Sequence, residues 1–195
     1  MRIRIQFLIT AQSLCGVLLG TLLATSAFGI DKPWPGPFVE NDDMLMVLMP
    51  HTPEQIAAFY EARGFPKTAL DLISSTCFVT VHIENKSQRV IWLETANWHL
   101  SSDNQALRHL DKDHWDTRWN EIDLPLAKRA TFGWTQLPLQ RDLQPDEPVG
   151  GNIVLDGNIR KFNLEAHFLT GRDKRGGMLE VRFQDVACPE DEPRR

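Results

Sequence analysis

The chain has 195 residues and a formal charge of −5. That length suits one domain with appendages. Net acidity without any basic block argues against nucleic acid or anionic lipid as a partner.

The first residues, Met1-Arg2-Ile3-Arg4, precede an uncharged run from Ile5 to Ile30. A basic start, an apolar middle and small residues at Thr25 and Ala27 predict a signal peptide over residues 1–27, cut after Ala27. The same run is long enough to act as an uncleaved anchor. Both readings place the remainder outside the cytoplasm, periplasmic or secreted. Cleavage removes two arginines and no acid, taking the formal charge from −5 to −7. Cys15 follows Leu14 in mid-run, which is not a lipoprotein pattern.

Residues 28–42 read as an extended Pro-rich lead-in, with Pro33, Pro35 and Pro37 at alternate positions and Trp34 packing it onto the domain. Met44 to Met49 is apolar on both faces, the pattern of a strand buried on both sides. Thr52-Pro53-Glu54-Gln55 is a capping box with Pro in the first turn. Ile56, Phe59 and Tyr60 then form a helical stripe, and Gly64 closes it. A second short helix over Lys67–Ile73 completes a helical insertion at 52–74.

Thr76 to Thr95 is read as a β-hairpin. Cys77, Val79, Val81 and Ile83 alternate with Phe78, Thr80, His82 and Glu84, a polar turn follows, and Arg89–Leu93 makes the return strand. Asn85-Lys86-Ser87 also matches a glycosylation acceptor. Beyond it, Ser101 or Ser102 is expected to cap a helix in which Leu107, Leu110 and Trp115 share a face. Further strands are expected over Arg129–Leu137, with Phe132 and Trp134 on one face, and at Asn152–Leu155, Lys161–Thr170 and Met178–Val186. Pro138 to Gly151 reads as a loop with Pro145 at the second position of a turn and Gly150-Gly151 supplying positive φ. Its residues Arg141, Asp142, Asp146 and Glu147 make it a candidate partner-facing loop. The tail 189–195 is charged and expected to be disordered.

Some seven strands, each with one wet face, predict a mainly β fold. The expectation is an antiparallel β-sandwich over residues 43–188, with the helical insertion after its first strand. In strand pattern alone the chain resembles an immunoglobulin-like domain. Cys77 and Cys188, the two cysteines beyond the signal, are expected to form a disulfide in an oxidising compartment.

The sequence has no nucleophile elbow, no zinc-protease helix and no phosphate-cradling glycine loop, so no catalytic residue and no cofactor is expected. The Met44–His51 run invites a copper reading, but methionine more often fills a core. The cluster His109 to Asp116 lacks the spacing of a calcium loop, and its two histidines lack i, i+4 spacing. His82 and His167 fall on wet strand faces that a sandwich places in different sheets. No metal site is therefore expected. These features point to an exported, non-enzymatic binding or assembly domain whose partner is another envelope or extracellular protein. An envelope metal-handling protein is the alternative.

Overall fold

The computed structural model describes residues 34–156 and 159–191. The signal-peptide reading at 1–27 lies outside the described residues, as do positions 28–33 of the lead-in and 192–195 of the tail.

The fold is mainly β, with antiparallel sheets and four α-helices among the described residues. In chain order, β1 (Phe38–Glu40), β2 (Met44–His51), α1 (Pro53–Glu61), α2 (Lys67–Ser74), β3 (Cys77–Asn85), β4 (Ile91–Glu94) and β5 (Trp98–Ser102) come first. Then follow β6 (Gln105–Ala106), α3 (Lys112–Glu121), α4 (Leu126–Trp134), β7 (Gln140–Leu143), β8 (Pro148–Leu155), β9 (Lys161–Thr170) and β10 (Met178–Ala187).

One sheet has the order β1-β2-β3-β8. In the other, β10 pairs along one edge of β9. The opposite edge of β9 carries β4 and β5 end to end, Ile91 opposite Thr170 and Trp98 opposite Ala166. A single 3-10 turn at Thr95–Asn97 separates those two strands. β7 and β6 flank them in turn. The inner faces meet in one core, with Met46, Val79, Val81 and Ile83 from the first sheet and Leu93, Leu164, Phe168 and Val181 from the second. Each such fully buried side chain contributes about 1.5–3 kcal/mol. The Cys77–Cys188 disulfide joins the first residue of β3 to the chain just after β10 and so ties one sheet to the other.

The four helices cover the outer face of the first sheet. Tyr60, Ala69 and Ile73 from α1 and α2, and Trp115, Trp119 and Phe132 from α3 and α4, bury against Phe78 of β3 and Val154 of β8. On β2, Met44, Met46 and Leu48 face the intersheet core, and Leu45 and Val47 are buried on the opposite face, so the run shows no alternation. The α1 start follows its sequence signal: Thr52 Oγ1 accepts from the Gln55 N–H, Gln55 reaches back to the Thr52 N–H, and Gly64 sits at φ +72°.

Several expectations are corrected. β3 and β4 are not a hairpin, because they belong to different sheets and the chain arches between them. Asn85 makes the arch: its amide donates to the carbonyls of Arg89 and Leu143, and its Oδ1 accepts from the backbone and hydroxyl of Ser87. With its side chain wholly buried and used, Asn85 is no glycan acceptor. The lead-in contributes a strand, since β1 pairs with β2, and Trp34 stacks on His82 at 5.7 Å. Ser101 and Ser102 cap nothing. They end β5, and Asp103-Asn104, both at positive φ, turn the chain directly into β6. Residues 126–134 are helix α4 rather than a strand, so Trp134 stands 91% exposed instead of sharing the buried face of Phe132. The span 138–151 is mostly strand. Gly150 and Gly151 lie within β8, and neither has a positive φ. Within the expected tail, Asp191 Oδ1 accepts from the Glu54 N–H at the start of α1, 2.7 Å away.

Candidate functional site

The helical layer holds a cleft of roughly 340 Å³ between α3, α4 and the segment leading into β7. Its walls follow from backbone pairing. The Leu110 N–H donates to the Val154 carbonyl at 2.8 Å, so the segment before α3 runs beside β8 and sets His109 opposite Leu155. Asp111 then caps α3 by accepting from the His114 N–H at 3.0 Å, a bond that holds its carboxyl below the usual carboxylate range. On the far side, the Leu137 N–H donates to Asn152 and the Asn152 N–H to Thr135, both at 2.9 Å. Gly151 permits that approach, since a Cβ there would lie 2.5 Å from the Leu137 backbone nitrogen.

The floor is aromatic. The Trp115 and Trp119 rings stack at 4.8 Å, and Phe132 lies 4.7 Å from the first and 5.1 Å from the second. Arg129 closes the C-terminus of α3 by donating to the carbonyls of Leu124 and Trp119 and to the Asn120 side chain. At the rim, Lys112 pairs with Asp116; both are well exposed, so the pair adds little stability.

Four buried side-chain polar atoms lack a hydrogen-bond partner among the described residues, and three belong to residues lining this cleft: His109 Nε2, Trp115 Nε1 and Gln136 Oε1. Trp115 is only 4% exposed. Leaving a buried polar atom unpaired costs about 1–3 kcal/mol, and three of the four belong to residues around this one concavity. Burial lowers the His109 pKa, keeping its ring neutral at pH 7. Trp115 offers a donor, Gln136 an acceptor, and neutral His109 either.

The residues singled out by sequence fall in several places. Arg141 and Asp142 lie in β7, while Asp146 and Glu147 are in the β7–β8 turn. Pro145 does take the second position of that turn, closed by the Glu147 N–H on Gln144 at 3.0 Å, with Asp146 at φ +62°. Glu147 accepts from the Gln144 N–H and from Arg141, and those bonds hold its carboxyl below the usual range. Asp142 accepts from the Gln144 amide at 3.1 Å. Met44 and Met46 are wholly buried in the intersheet core. His51 donates from Nε2 to Thr80, whose hydroxyl donates in turn to Asn152. The stretch from His109 to Asp116 does not converge, with Asp111 spent as a cap and Asp116 on Lys112. His82 and His167 lie in different sheets, on β3 and β9.

The cleft does not follow from the sequence pattern, in which Arg129–Leu137 looks like a strand where α4 lies. The signal was there: Pro125 precedes Leu-Ala-Lys-Arg-Ala, five good helix formers. A second cluster, Glu165, His167 and Glu180, sits on the outer face of the second sheet. His167 sits on the wet face that the sequence pattern predicts, but the strand register that joins it to Glu165 and Glu180 is not in any local pattern.

No family model matches the chain, and no curated protein matches it. Among solved structures it is similar to the crystal structure of the yjhA protein from Bacillus subtilis, at 10% identity, over 67% of this chain and 77% of that one, with a TM-score of 0.37. A likeness of that degree supports no argument about either fold or function.

Proposed function

We propose that this chain is an exported, non-enzymatic binding domain whose ligand seats in the cleft between α3 and α4. The observation that carries the reading is the trio of unpartnered polar atoms around a floor of Trp115, Trp119 and Phe132. The floor suits a flat apolar group. An amide entering beside that group, once the packing over these sealed atoms opens, would find a donor in the Trp115 N–H and an acceptor in Gln136 Oε1. A peptide presenting a large apolar side chain has both parts, in keeping with an envelope or extracellular protein as the partner. The Cys77–Cys188 bond supports an oxidising compartment. At the level of architecture we read the two facing sheets as a β-sandwich of immunoglobulin-like kind. The support is the arch from β3 to β4 and the disulfide between the sheets.

The test titrates N-acetylphenylalaninamide against tryptophan fluorescence. Gly133 lines the cleft, and a Cβ there would meet no atom within 4 Å. Gly133→Leu therefore adds apolar bulk at the cleft from a Cβ that meets no protein atom. Saturable quenching in the parent chain, abolished in Gly133→Leu, supports the site. Equal quenching in both proteins contradicts it.

A further inference from the structure

We infer that the outer face of the second sheet binds a divalent transition-metal ion of the zinc or copper type through Glu165, His167 and Glu180, with His99 as a fourth donor. Inward-facing Leu164, Ala166 and Phe168 on β9 force Glu165 and His167 outward on the same side. Register does the rest: Glu180 of β10 stands opposite His167, and His99 of β5 stands opposite Glu165. One donor atom from each of Glu165, His167 and Glu180 lies within 4.8 Å of the other two. His99 lies outside that group, its ring centroid 5.6 Å from that of His167, so a rotation of its side chain is what brings a nitrogen to the ion. Two imidazoles and two carboxylates on three hydrogen-bonded strands are the donor set that suits zinc or copper, not calcium or magnesium. Motif spacing along one segment does not reveal such a site, because the ligands come from positions 99, 165, 167 and 180.

Arg182 gives the site its regulator. Its Nε pairs with Glu180 and lies 3.5 Å from Glu165, while His167 Nε2 lies 2.9 Å from the Glu165 carboxylate. The guanidinium thus occupies the carboxylates that a cation needs. Its side chain is 61% exposed and free to swing into solvent. Metal and Arg182 compete for the same oxygens, and removing the arginine must tighten metal binding. A ladder of surface ion pairs without a metal role predicts no such gain.

The experiment uses untagged protein and titrates Zn²⁺ in competition with a chromophoric chelator. Expected are one Zn²⁺ per chain, a loss of affinity of about tenfold or more in His167→Ala, and a gain of several-fold in Arg182→Ala. His99→Ala, on a different strand, weakens binding as well and guards against a folding defect in one variant. The proposal is overturned by no saturable uptake of Zn²⁺, Ni²⁺ or Cu²⁺ below about 100 μM. It is equally overturned by uptake unchanged in His167→Ala, or by affinity unchanged or reduced in Arg182→Ala.

Discussion

Asn85 carries more of the architecture than any exposed residue, because the chain leaves one sheet for the other at its side chain. Asn85→Ala removes the buried donor to the Leu143 carbonyl and one of the two donors to that of Arg89 and should cost about 1–3 kcal/mol in urea unfolding. A loss under about 0.5 kcal/mol, the range of ordinary surface changes, would show that the arch holds without it. His109 and His51 predict the pH response, since burial lowers the pKa of each. A lowered histidine pKa means that the unfolded chain takes up the proton first as pH falls. Stability is therefore level above about pH 7.5 and declines on acidification through the unfolded value near 6.5. His109→Gln should flatten that decline between about pH 7 and 5, read from unfolding free energies across pH. An unchanged slope would mean that His109 titrates alike in both states.

At the scale of elements, glycines separate a structural role from an open one. Gly151→Ala puts a methyl 2.5 Å from the Leu137 backbone, so the segment forming the cleft wall must lift off β8. It should destabilise by well over 1 kcal/mol. Gly133→Ala meets nothing within 4 Å and lies inside α4, so it should stabilise by roughly 0.5–1 kcal/mol through helix propensity. Thermal melting of the pair checks both, and similar shifts of the same sign would contradict the placement of α4. Elements with a self-contained signal were legible: the Thr52 capping box, Gly64 and the alternation of β9 and β10. α4 was not, because Phe132 and Trp134 mimic strand alternation over a run whose helix formers lie just upstream. The arch was not, because a polar turn after alternating residues looks alike whether the chain returns in its own sheet or crosses to another. The Trp115 cleft and the His167 cluster depend on contacts between segments, which no local pattern records.

For the whole molecule, the disulfide and the cleft make separate claims. Cys77 and Cys188 close a loop of 111 residues, worth up to about 4–5 kcal/mol in the chain-entropy model. Replacing both by alanine should lower the melting temperature by about 10 °C in calorimetry. A drop under about 2 °C would mean that the sheets hold together without the bond. The central claim concerns the cleft, and the most direct probe is the indole N–H of Trp115, a buried donor without a partner. In ¹⁵N-labelled protein titrated with N-acetylphenylalaninamide, this indole resonance should move downfield and saturate, and Gly133→Leu should abolish the shift. A Trp115 resonance that stays fixed up to millimolar probe, while other resonances move, would contradict it.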